Sequence, residues 1–214
     1  DTMTTVFITK RGFVKCIHDM VFKEEAKKYM TEDDELIVPP VYVKLNDTML
    51  MYTYSGYCYK IPVVDIESSR TGFKQYFWDL VERKDTAPLL YACDAAGYDK
   101  QFTVVYGHGR GRIVRTADVS GRQKVYKNCF LPGNNVVGSK DRIFVVPFQR
   151  FYMITKNKKA AYGNTKYLCT LSTRAAFKVA RTATADPIMW FLNADNVKES
   201  EFENDKYCKG YCVK

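Results

Sequence analysis

Histidine is almost missing from these 214 residues: only His18 and His108 occur. With so few imidazoles, no Ser-His-Asp or Cys-His arrangement can be assembled from the sequence. No apolar run approaches the ~18 residues that a membrane-spanning helix requires, and no secretory signal precedes the first strand-like segment. Helical periodicity is also poor. Residues 24–30 offer a turn or two, and residues 74–82 have some amphipathic spacing, but neither can carry a helical layer. No low-complexity linker or clear domain boundary interrupts the chain. It opens on Asp1 rather than Met, which reads as a piece of a longer protein.

What the chain has is aromatic and basic. Hydrophobic residues make up 46% and aromatics 14%, with 16 Tyr and 13 Phe. That is enough apolar matter for a sizeable core, and it excludes a disordered tail. Tyr, Phe, Val, Ile and Thr favour pleated, half-buried surfaces, so the expected class is all-β. The formal net charge is +9. Such a field attracts polyanions: nucleic acid, an anionic membrane surface or an acidic protein. Seven cysteines, at 16, 58, 93, 129, 169, 208 and 212, are odd in number and widely spaced until the end. Free thiols in a reducing cytoplasm are the simplest reading. Cys208 and Cys212 with Cys16 and His18 would be a weak zinc pattern, so no metal and no cofactor are expected.

Internal repetition is the most informative feature. Residues 6–17 read VFITKRGFVKCI, an apolar run, Thr9, a two-residue step, Gly12, an aromatic and a basic residue. Residues 50–61 read LMYTYSGYCYKI, residues 102–115 FTVVYGHGRGRIVR, and residues 151–162 FYMITKNKKAAY. Gly and Asn supply the positive φ of tight hairpin turns. Turn positions 12, 56, 111 and 158 stand 44, 55 and 47 residues apart, the spacing of a four-stranded unit. After each hairpin comes a second recurring piece: DIESSRTGFK at 65–74, DVSGRQKVYK at 118–127 and LSTRAAFK at 171–178. A further strand precedes the next hairpin at 35–38, 88–92 and 141–146. A weaker fifth unit begins at residues 188–192. Approximate repeats are thus 5–33, 34–86, 87–139, 140–185 and 186–214 of one domain.

The hairpin pattern apolar-apolar-Thr-x-x-Gly-aromatic-x-Lys/Arg resembles the blade signature of the C-terminal domains of type IIA topoisomerases, those borne by the A subunits of DNA gyrase and of topoisomerase IV. The resemblance runs from about residue 5 to 178. It implies a β-pinwheel of about five four-stranded blades. It also implies a non-catalytic role in bending or wrapping duplex DNA on a basic rim, for a parent enzyme whose ATPase and DNA-cleaving parts lie elsewhere. The partners so implied are duplex DNA, the rest of the topoisomerase A subunit, and its ATPase subunit. The isolated domain is expected to be monomeric, cytoplasmic and nucleoid-associated, with no membrane partner. Gyrase A proteins carry a Gln-basic-basic-Gly-Gly-basic-Gly box. The nearest stretch here, HGRGR at 108–112, lacks the Gln and sits in a turn, which places the chain nearer the topoisomerase IV branch.

The expected phosphate contacts are Lys10, Arg11 and Lys15; Lys60, Arg70 and Lys74; Arg110, Arg112, Arg115 and Arg122; Lys156, Lys158 and Lys159; and Arg174, Lys178 and Arg181. Their recurrence with the hairpins predicts a positive track that grips backbone without reading sequence. The bland alternative is a solvated surface, since Lys commonly guards strand edges. Two other functions remain open on the residues alone: a propeller-like protein-interaction scaffold, and a single-stranded nucleic acid or RNA module using Tyr52, Tyr54, Tyr57 and Tyr59 as stacking platforms.

Overall fold

Strand propensity and turn chemistry act together in four hairpins. The computed structural model describes residues 2–18, 35–82, 87–107, 110–130, 143–146, 150–157, 160–164, 177–178 and 187–196. The hairpins are β1 (Met3–Ile8) with β2 (Phe13–His18), β4 (Thr48–Thr53) with β5 (Cys58–Pro62), β8 (Gln101–Tyr106) with β9 (Arg110–Arg115), and β12 (Arg150–Thr155) with β13 (Ala160–Asn164). The first two turns share one geometry. The Thr9 N–H donates to the Phe13 carbonyl and the Gly12 N–H to the Thr9 carbonyl, both at 2.9 Å; Thr53, Tyr57 and Gly56 repeat this at 3.0 Å. Gly12 (φ +89°) and Gly56 (φ +83°) occupy left-handed backbone that a side chain would strain.

Each hairpin gains a third strand from the chain that follows it. β3 (Val41–Lys44) pairs with β1, β7 (Leu89–Asp94) with β4, β11 (Ile143–Val146) with β8, and β15 (Ile188–Asn193) with β12. The expected strand at 35–38 is reduced to one bridge, Leu36 to Thr9. Pro39-Pro40 intervenes before the ladder resumes at Val41, because proline cannot donate to it. Residues 188–192, expected to open a fifth repeat, instead form the third strand of the fourth sheet: their backbone finds its partner in β12. Residues 197–214 lie outside the described residues. The segment at 74–82 forms no α-helix, only a 3₁₀ turn at Phe77–Leu80.

The fourth strand of each of the first three sheets is short and arrives from further along. β6 (Gln75–Tyr76) follows the second hairpin yet pairs with β2 of the first. β10 (Val125–Tyr126) follows the third hairpin and pairs with β5 of the second, and β14 (Phe177–Lys178) follows the fourth and pairs with β9 of the third. The sheet orders are β3-β1-β2-β6, β10-β5-β4-β7, β11-β8-β9-β14 and β13-β12-β15. Consecutive sheets are therefore interlocked by an exchanged edge strand.

By contacts the chain divides into two compact units, Asp1–Lys100 with Thr116–Cys129, and Gln101–Arg115 with Phe130–Lys214. In the first unit the first two sheets meet face to face. Val6, Ile8, Val14 and Cys16 pack with Met49, Met51, Tyr59 and Ile61, and Phe77 and Leu89 complete the layer. Phe7 and Ile17, on the other face of the first sheet, are buried in a separate cluster with Leu36 and Phe73 against it. Strands covered on both faces read as continuous apolar runs rather than as a clean alternation. In the second unit Val105 and Val146 pack with Phe151, Met153 and Ile188. Among the described residues no helix is long and apolar enough to cross a membrane.

Candidate nucleic-acid interface

The pairing register decides which basic residues are equivalent. The last pairs before the four turns are Ile8–Val14, Tyr52–Cys58, Val105–Gly111 and Ile154–Ala160. Counting from them, Lys15 shares its position with Tyr59, Arg112 and Ala161, while Lys60 shares its position with Cys16, Ile113 and Tyr162. Lys15 and Lys60, grouped together in the sequence motif, stand one residue out of phase and so point to opposite faces of their sheets.

Neither ammonium stands on an open surface. Lys15 is 1% exposed. Its Nζ donates to the Thr71 carbonyl at 2.7 Å and lies 4.6 Å from the Phe73 ring centre and 5.7 Å from that of Phe7. Lys60 is half-buried; its Nζ donates to the carbonyls of Val119 (2.9 Å) and Gly121 (2.8 Å), beside the rings of Tyr98 and Tyr126. Both lysines thus hold the segment that leads into an exchanged edge strand: residues 67–74 ahead of β6, and residues 119–124 ahead of β10. Cys16, the positional counterpart of Lys60, fastens the equivalent place in the first sheet. Its thiol donates to the Ile66 carbonyl at 3.3 Å, and backbone bonds of 3.0 Å join Cys16 to Glu67 and Ser69.

Exposed cations of the first unit stand on these same lead-in segments, in addition to Lys10, Arg11, Lys44 and Lys100 elsewhere on its surface. Arg70 and Lys74 are exposed beside β6, and Arg122 and Lys124 are exposed beside β10, with Lys127 just after it. Lys124 and Lys127 belong to the recurring 118–127 stretch but are not among the expected phosphate contacts; only the exchange of β10 shows that they flank a sheet edge. Lys127 lies over the Tyr57 ring at 5.7 Å. At the equivalent aromatic of the first hairpin, Arg11 lies over Phe13 at 5.2 Å, and Phe13 in turn meets Tyr76 of β6 at 3.8 Å between ring centres. Lys10, on the same turn, is exposed and paired with Glu35.

In the second unit Lys156 is exposed at the fourth turn, and Arg112 and Arg115 are half-buried on β9. Arg110 and Lys178 are placed by backbone register alone, as partners across β9 and β14. Lys158, Lys159, Arg174 and Arg181 lie outside the described residues, as do His108 and the centre of the Gly-rich turn. Of the zinc pattern, Cys16 and His18 already have partners (His18 Nδ1 is 3.1 Å from Thr4 Oγ1), and Cys208 and Cys212 lie outside the described residues.

Four interlocked sheets, with each short edge strand supplied from beyond the next hairpin, can be compared with known architectures. The chain is similar to the C-terminal domain of DNA topoisomerase IV, with a TM-score of 0.67 and 15% identity over 89% of this chain and 61% of that one. The E. coli ParC C-terminal domain gives 0.66 and 14%, over 89% of this chain and 79% of that one. The fold is a β-pinwheel. The DNA gyrase A C-terminal domain has the same pinwheel at a TM-score of 0.51 and 16% identity, over 89% of this chain and 64% of that one. The present chain thus spans less than two thirds of the first and third of these pinwheels. No protein-family model and no curated protein matches the sequence.

The pinwheel clarifies the division of labour among the basic residues. A lysine or cysteine inside each of the first two blades fastens the incoming strand, and exposed cations stand on that strand's approach.

Proposed function

We propose that this chain is a duplex-DNA-binding domain of a type IIA topoisomerase A subunit, one that grips and bends DNA and leaves the chemistry to the rest of its enzyme. One observation carries the reading: on a β-pinwheel, exposed cations recur beside successive exchanged edge strands, Arg70 and Lys74 ahead of one, and Arg122 and Lys124 ahead of the next with Lys127 just past it. Lys and Arg at such positions meet phosphate oxygens and displace condensed counterions. These five residues with Arg11 would neutralise up to six phosphates, which corresponds to a slope of about −5 in log K against log salt. The partners would be duplex DNA, the ATPase subunit, and the remainder of the topoisomerase A subunit, within a bacterial nucleoid.

The test is binding to long duplex, short duplex and single strands across a salt series. A preference for long duplex with the steep slope supports bending or wrapping. Equal affinity for short single strands overturns it and favours a stacking module. Binding that ignores salt and nucleic acid alike would favour a protein scaffold. Relaxed plasmid with a nicking-closing enzyme then reports handed wrapping; little supercoil trapping is expected, because the Gly-Gly box is missing.

A further inference from the structure

The lead-in segment 119–124 is fastened from inside by one side chain. An ammonium has three N–H donors. Lys60 commits two of them to main-chain carbonyls two residues apart, Val119 and Gly121, and its own backbone N–H donates to the Lys124 carbonyl at 2.9 Å. Tyr98 and Tyr126 flank the same Nζ at 4.8 and 5.7 Å from their ring centres. Gly121 is packed so closely that a Cβ built on it would lie 2.5 Å from the Tyr126 hydroxyl. Between and beyond these fixed points stand Arg122 and Lys124, exposed. The charge on Lys60 faces inward onto carbonyl dipoles, while the charges it holds in place face outward.

Building on the DNA-binding reading above, we propose that Lys60 is a positioning residue. It contacts no phosphate itself and fixes the 119–124 segment so that Arg122 and Lys124 meet the DNA backbone. An ordered pair of cations binds without the entropic cost of ordering the segment on contact. A buried lysine that served only the fold would raise stability and leave the DNA footprint unchanged, so the two roles separate experimentally.

The experiment uses the full 214-residue chain and a long linear duplex. Lys60→Met is expected to lower the salt slope by roughly one to two, the amount lost when Arg122 and Lys124 are themselves replaced by Ala. Lys60→Arg, which can still donate to both carbonyls, is expected to restore the wild-type slope. In the Arg122→Ala/Lys124→Ala background, Lys60→Met should leave affinity unchanged. Peptides ending at Arg122 or Lys124 should appear faster in native-state trypsin digestion of Lys60→Met, read by mass spectrometry. Should Lys60→Met melt near the assay temperature, Lys60→Gln, which keeps one donor group, is expected to give intermediate slope and cleavage. An unchanged slope in folded Lys60→Met or Lys60→Gln overturns the proposal. So does an additive effect in the double-mutant background, which would mean that Lys60 meets phosphate directly. If the wild-type chain shows no salt-dependent duplex binding, the DNA reading itself fails; that failure is recognisable because the trypsin difference between wild type and Lys60→Met persists without it.

Discussion

Raising the pH from 9 to 12 should dismantle the first unit, through its buried thiols. Burial is the leading cause that pushes Cys93 and Cys129 up to about 12 from 9.0. Burial likewise holds Cys58 well above its ordinary value and pushes Tyr91 up to about 12. All four keep their protons in the folded chain and release them earlier in the unfolded one. Stability from these groups is therefore complete below pH 9 and is lost as pH rises towards 12. One proton released per thiol corresponds to about 1.4 kcal/mol per pH unit. Cys93 is nearly buried and counts in full, while Cys129 is partly exposed and counts for less, so the pair gives roughly 1.4–2.7 kcal/mol per unit. Two pH units then remove about 3–5 kcal/mol, a large share of the ~5–15 kcal/mol typical of a domain. Urea unfolding under reductant, followed by Trp78 fluorescence, reads this directly, since Trp78 lies 4.2 Å from the Phe77 ring and 5.3 Å from that of Tyr59. A Trp190→Phe background removes the second fluorophore. Cys93→Ala should flatten the pH dependence by about 1.4 kcal/mol per unit. A urea midpoint that holds steady from pH 9 to 11, or an identical slope in Cys93→Ala, would refute the reasoning.

Other substitutions follow from single contacts. Gly12→Ala should destabilise by about 1–2 kcal/mol, because φ is +89° and the new Cβ would lie 3.1 Å from the Phe77 ring; chemical denaturation measures it. Gly121→Ala must displace the Tyr126 hydroxyl, and should raise tryptic cleavage at Arg122 in the same way as Lys60→Met. Lys15→Ala leaves the Thr71 carbonyl without its donor and opens space between Phe7 and Phe73; a loss of about 1–3 kcal/mol is expected in urea titration. Lys10→Ala removes an exposed pair with Glu35 and should change stability by less than about 1 kcal/mol.

The hairpins were legible because Thr-x-x-Gly states its own turn: Thr closes the four-residue loop and only Gly tolerates the required φ at positions 12 and 56. The exchanged strands were not legible as strands. Each of β6, β10 and β14 is two residues long, too short to show any period, and each pairs with a hairpin far upstream. Their approaches were nonetheless visible as the recurring polar stretch ending in aromatic-Lys. The basic positions were harder. With both faces of β2 and β5 covered, nothing in the local pattern says which way Lys15 or Lys60 turns, and a one-residue offset reverses the answer. Residues 188–192 misled because an apolar run announces a strand but not its partner.

The exchanged strand has a consequence for the making of the chain. β2 waits for Gln75, β5 for Tyr126 and β9 for Phe177, so each of the first three blades leaves the ribosome unfinished and is closed only after the next hairpin has emerged. A chain stopped between hairpins would end in a sheet with a bare edge, open to any passing strand. Length is thus quantised for this architecture: wherever the array stops, its final blade needs a closing strand from outside the repeat.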